Sequence, residues 1–130
     1  MIKKALYGRG HLRVRADPES PIHLHINHLA QFHSVNAHDI SEGGLSFTLP
    51  GDVSESIIGT PLSIAVEFVG LKANKFVVFA EVRHISKLVY GIEFCDLEPE
   101  NRAVIARYVK MVEKKYPQLS MKSYRPPKSA

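Results

Sequence analysis

At 130 residues, 45% of them hydrophobic, the chain has room for one domain with a real core and too little length for a second of ordinary size. Its formal net charge of +4 is small and its cations gather toward the two ends, which suits a small acidic ligand better than a duplex. A single cysteine excludes an internal disulfide framework, no apolar run approaches the roughly 20 residues of a membrane span, and residues 1–15 lack the apolar centre of a secretion signal, so the sequence reads as cytoplasmic.

Residues 1–15 carry Lys3, Lys4, Arg9, Arg13 and Arg15 with Gly8 and Gly10 among them, a basic arm expected to be mobile without a ligand. Within it, Arg9-Gly10-His11-Leu12-Arg13 sets two guanidiniums four residues apart in a segment too rich in glycine for a stable helix. A guanidinium fork suits phosphate oxygens and the O6/N7 edge of guanine. Asp17-Pro18-Glu19-Ser20-Pro21 is turn material that opens the folded part of the chain.

Ile22-His23-Leu24-His25-Ile26 alternates strictly and predicts a half-buried strand with both histidines outside. Residues 32–40 read as the next strand, less regularly, and end in Asp39-Ile40-Ser41-Glu42-Gly43-Gly44. If the strand runs through Ile40, Asp39 and Ser41 leave on one face while Ile40 enters the core. Gly43 and Gly44 can take positive φ and have no β-carbon, so a flat ring or a phosphate could approach the main chain there. The bland alternative is a strand-ending turn capped by Asp or Ser.

Leu45-Ser46-Phe47-Thr48-Leu49 alternates again before Pro50-Gly51-Asp52 breaks it. Residues 61–69 put Leu62, Ile64, Val66 and Phe68 on one face, 70–74 offer a hairpin into 76–82, and a turn near Ser86-Lys87 leads into 88–95. About six short strands with one helical pattern favour a small antiparallel β-barrel, whose closure removes exposed edges. The helix starts near Pro99, carries Ile105, Tyr108, Val109, Val112 and Tyr116 as its apolar stripe, and stops at Pro117. The resulting plan is a basic arm over 1–15, a barrel plus helix over 16–116, and a mobile basic, proline-containing tail over 117–130.

Seven histidines raise a metal site, and His23 with His25 share a strand face, but no third ligand is evident, so none is expected. His28, His33 and His38 read as polar strand or turn residues. Nothing pairs a nucleophile with a base, and no carboxylate cluster suits a metal-dependent hydrolase, so the chain does not read as an enzyme. Cys95, beside Phe94, reads as a buried structural thiol. Phe47, Phe68, Phe76, Phe79 and Phe94 read as mostly core, leaving few rings for bases. That weighs against a small basic barrel for single-stranded RNA or DNA, and no specific nucleic acid is expected. A protein-interaction scaffold without a nucleotide ligand is the other alternative.

The ordered combination of Arg9 and Arg13 before the first strand, Asp39-x-Ser41-x-x-Gly44 closing the next, and Tyr90-Gly91-Ile92-Glu93-Phe94 in the last resembles the PilZ domain family over roughly residues 7–115. The resemblance implies a mainly β fold, a six-stranded antiparallel barrel with one C-terminal helix, acting as a stand-alone bacterial receptor for cyclic di-GMP with no further cofactor. It also implies that Arg9 and Arg13 grip phosphate and guanine edges while Asp39, Ser41 and the backbone around Gly44 meet the second guanine. Gly8, Arg15 and Gly43 are additional candidates. Many family members carry a third arginine where this chain has Gly8, and that arginine goes with two stacked nucleotides, so one ligand per chain is expected here. Output is expected when the ligand orders the arm into a surface read by an unidentified downstream protein of motility, adhesion, secretion or transcription.

Overall fold

The computed structural model describes residues 12–28, 31–49, 58–71 and 75–121. The arm residues 1–11, with Gly8 and Arg9, lie outside the described residues, as do the Pro50-Gly51-Asp52 break, positions 72–74 of the expected hairpin, and the tail from 122 to 130.

Among the described residues seven antiparallel strands are formed: β1 (Val14–Arg15), β2 (Ile22–His28), β3 (Gln31–Ser41), β4 (Gly44–Thr48), β5 (Pro61–Phe68), β6 (Lys75–Ser86) and β7 (Val89–Cys95). Their order is β1-β3-β2-β5-β6-β7-β4, and β4 pairs again with β3. Strands β2 to β7 therefore close a six-stranded barrel, and β1 is a two-residue addition along β3. One helix, α1 (Pro99–Lys115), and a short 3-10 turn (Pro117–Leu119) follow.

Alternation fills the barrel. Ile22, Leu24 and Ile26 from β2, Leu62, Ile64, Val66 and Phe68 from β5, and Tyr90 and Ile92 from β7 are all buried. Each such side chain contributes about 1.5–3 kcal/mol relative to exposure. The sequence reading puts Phe79 in this core, and the structure corrects it. Val78, Ala80 and Val82 point inward, so Val77 and Phe79 stand 60% and 61% exposed on the outer face. A strand period of two places residues 76 and 79 on opposite faces, and Phe76 alone packs against the core.

Pro99 occupies the first turn of α1, Glu100 lies near its positive end, and Lys114 and Lys115 lie in its last turn, all favourable to the helix dipole. Val104, Ile105, Tyr108, Val109 and Val112 are buried against the barrel, with the Tyr108 ring centred 5.1 Å from that of Phe68. Tyr116, predicted as the end of the apolar stripe, is instead the half-buried C-cap.

Both ends of the folded body reach further than the sequence predicts. Val14 is fully buried and β1 pairs with β3 at Val14 with Ile40 and Arg15 with Asp39, so residues 12–15 belong to the body and not to the arm. Past α1, Val14 bridges to Ser120, and the Met121 amide donates to the Arg13 carbonyl at 2.8 Å. The first and last of the described segments thus meet beside Arg13. A buried clasp supports the junction: the Tyr108 hydroxyl accepts from the Asp17 amide at 2.9 Å and donates to the Ser20 carbonyl at 2.8 Å.

Candidate functional site

A bulge aims the central motif. In β3 the pairing with β4 shifts register between Ala37 and Asp39. Val35 and Ala37 face inward before it and Ile40 faces inward after it. Unbroken alternation from Ala37 would turn Asp39 and Ser41 into the core; one extra residue, His38, turns both outward instead. This is why residues 32–40 alternate poorly in sequence while Asp39 and Ser41 still share a face.

That face forms one wall of a cleft of about 970 Å³ lined by β3, β4, β6, β7, the segment after β7 and the first turn of α1. Arg13 reaches it from before β1 and donates from Nη1 to Asp39 Oδ1 at 2.6 Å. Ser46 Oγ donates to the other Asp39 oxygen at 2.9 Å, so the carboxylate is fixed from two sides. Ser41 Oγ accepts from the Gly43 amide at 3.0 Å, and the Gly43 carbonyl accepts from the Phe94 amide at 2.9 Å, tying the turn to β7. Guanidinium and carboxylate here supply both donor and acceptor sets for a polar, planar ligand.

Arg13, Asp39, Ser41 and Gly43 line the cleft together. Arg9 and Gly8 are outside the described residues, and Arg15, exposed on β1, is not among the lining residues. Gly44 has a different place from the one its sequence context suggests. Neither Gly43 nor Gly44 has positive φ; among the described glycines that conformation belongs to Gly59 and Gly70. Gly44 is buried in β4, where a β-carbon would collide with the carbonyl oxygen of Ile92. Its missing side chain admits the neighbouring strand.

Sequence reasoning missed Ser46, Arg83, His84 and Arg102, which also line the cleft. Arg83 Nε lies 2.6 Å from Glu93 Oε1 and its Nη1 3.6 Å from Glu81. Arg102, one turn into α1, lies 3.8 Å from Glu42. Ser46 was discoverable, since a tight turn at Glu42-Gly43 folds it back opposite Asp39. Arg83 and His84 were not, because they depend on a second bulge, between Val82 and His84.

The histidine-rich strand lies elsewhere. His23 Nδ1 pairs with Asn36 Oδ1 at 2.6 Å, and the His25 ring stacks on Phe32. Among the described residues no three His, Cys, Asp or Glu side chains are grouped to hold a metal. Exposed Phe32 and Phe79 do not line the cleft. Cys95 is half-buried rather than buried, and burial, reinforced by the carboxylates of Glu81, Asp96 and Glu93 against an opposing effect of Arg83, pushes its thiol up. No helix among the described residues is long and apolar enough to cross a membrane.

Solved structures resemble this fold. The PilZ domain of YcgR from Escherichia coli with c-di-GMP matches with a TM-score of 0.64 at 15% identity, covering 83% of this chain and 93% of that one. Inhibitor of motility (MotI/DgrA) from Bacillus subtilis gives 0.67 at 15%, covering 82% and 51%, and the K. pneumonia MrkH–c-di-GMP complex 0.62 at 15%, covering 81% and 52%. The chain thus spans about half the length of the latter two. A search of curated protein sequences gives no significant match. The family model for the PilZ domain matches residues 9–111, most of the 130-residue sequence and all of the barrel, and the chain belongs to that family.

Proposed function

We propose that this chain is a receptor for cyclic di-GMP that reports ligand occupancy to a downstream protein and carries out no chemistry itself. The observation that carries this reading is the meeting of Arg13 and Asp39, 26 residues apart in sequence and 2.6 Å apart in space, on the wall of a nucleotide-sized cleft. Each group matches a different part of the ligand. Arginine donates to phosphate oxygens and to guanine O6 and N7, and an aspartate carboxylate accepts from guanine N1–H and the exocyclic amine. Arg9, four residues before Arg13, completes the grip from the arm.

Solved relatives with c-di-GMP, among them the YcgR PilZ domain and MrkH, support the same ligand. The fit to the downstream step is chemical: a ligand held between arm and barrel makes a composite surface that neither offers alone, and the shift it can drive is bounded by its differential affinity for the closed form. We place this receptor in the cytoplasm, with a motility, adhesion, secretion or transcription component as the partner.

Calorimetry with cyclic di-GMP tests the reading. The expected result is saturable heat with a Kd of about micromolar order, near 8 kcal/mol, and a rise in Tm with ligand. Folded protein that gives neither, and binds single-stranded RNA instead, would replace it.

A further inference from the structure

The strand register joins Asp39 to a residue that neither sequence motif contains. Asp39 lies opposite Ser46, Ser46 opposite Gly91, and Gly91 opposite His84, one row of partners across β3, β4, β7 and β6. With neighbouring strands about 4.8 Å apart, the path along the barrel wall from one end to the other is about 14 Å. The interior of the row is a serine and a glycine, so side chains between the ends stand low.

The bulge in β6 creates the far end. Unbroken alternation from Val82, opposite Ile92, would put Arg83 opposite Gly91 and turn His84 toward the barrel interior. The extra residue puts His84 opposite Gly91 and turns it outward. Its ring then covers the glycine, since a β-carbon on Gly91 would fall against all three of the ring atoms Cε1, Nε2 and Nδ1. His84 is exposed and lines the cleft, whereas the other lining ring among the described residues, Phe94, is half-buried against the core.

We infer that His84 is the base-stacking platform of the cleft, its imidazole lying against the face of one guanine at the opposite end of the row from Asp39. Gly91 sets the height of that platform by leaving the ring room to lie on the sheet. This deepens the cyclic di-GMP reading and rests on it. Stacking on an aromatic side chain is tolerant of which ring supplies the face, and its loss on truncation to alanine weakens binding by about fivefold or more.

The test is calorimetry of the full chain with cyclic di-GMP for wild type, His84→Ala and His84→Phe, each checked for an unchanged melting profile. The expected result is at least about a fivefold loss for alanine and near-wild-type affinity for phenylalanine. The chain has no tryptophan, so His84→Trp supplies a lone indole whose fluorescence should be quenched as ligand saturates the protein. Wild-type affinity in His84→Ala, a phenylalanine variant as weak as the alanine one, or an unquenched indole in a variant that binds would each overturn the stacking role while leaving the receptor reading intact. Silence from the wild-type chain would overturn both.

Discussion

Arg13 Nη1 and Asp39 Oδ1 are 2.6 Å apart, so the two groups assigned by the proposal to the nucleotide neutralise each other. Their side chains are 35% and 18% exposed, which keeps the pair accessible to water and to an incoming ligand. An ion pair this exposed contributes about 0–1 kcal/mol to folding. Arg13→Ala should therefore leave the melting temperature nearly unchanged while costing about 1.5–3 kcal/mol of cyclic di-GMP affinity. Arg15→Ala, on the exposed side of β1, should cost under about twofold by the same titration, since a solvated charge contributes little. Equal losses would mean that the wrong arginine has been assigned to the ligand.

The barrel was largely legible because its strands obey period two: residues 22–27 of β2 and all of β5 alternate, and their buried sets are the ones the sequence predicts. Bulges were not legible, since an extra residue leaves no signature in composition. The one at His38 blurred β3, and the one between Val82 and His84 hid Arg83 and His84. Chain ends were misjudged for a related reason. Polar composition suggested an arm to residue 15 and a tail from 117, yet main-chain bonds, invisible in side-chain patterns, hold Val14 to Ser120 and Arg13 to Met121.

Gly44 and Ser41, adjacent members of one motif, should fail in different ways. A β-carbon at Gly44 meets a backbone oxygen of β7 that cannot move without shifting the strand. Gly44→Ala should cost about 2–3 kcal/mol of stability, a fall in Tm of roughly 10 °C. Ser41→Ala loses only the hydroxyl that accepts from the Gly43 amide, about 1 kcal/mol. Thermal melts of the two variants separate a strand-packing glycine from one needed only by the ligand.

Tyr108 should make the fold sensitive to alkali. Burial raises its hydroxyl pKa above the ordinary 10.0; the hydrogen bond from the Asp17 amide opposes this and the Asp17 carboxylate adds to it. The folded state therefore holds the proton more tightly than the unfolded one. Its contribution is complete below pH 10 and is lost as pH rises above that value. Tyr108→Phe strands the Asp17 N–H and the Ser20 carbonyl, costing about 1–3 kcal/mol at neutral pH, and should flatten the alkaline decline seen in denaturant titrations from pH 8 upward. A decline as steep in the variant would assign it to another group.

The C-terminal segment should support Arg13, the arginine assigned to the ligand. Ending the chain at Met121 keeps both its bridge to Val14 and its hydrogen bond to the Arg13 carbonyl, whereas ending it at Tyr116 removes both. The shorter chain should melt lower and bind cyclic di-GMP severalfold more weakly, because Arg13 loses main-chain support worth about 1 kcal/mol per hydrogen bond. Matching affinities for the two truncations would uncouple the C-terminus from the site.

Cations should set the stoichiometry. Two cyclic dinucleotides would bring about four phosphate charges into one cleft, whereas its described arginines are already engaged: Arg13 with Asp39, Arg83 with Glu93 and Glu81, and Arg102 with Glu42. Asp96 adds a further carboxylate to the lining. At position 8, just before the spaced arginine pair, the sequence has glycine where a third guanidinium would contribute about 1–3 kcal/mol to a doubly occupied state. One ligand per chain should saturate the protein. Titration at protein concentrations well above Kd should give an equivalence point near one, and Gly8→Arg should move it toward two. An equivalence point of two in the unaltered chain would show that the paired arginines release their carboxylates to bind a second nucleotide.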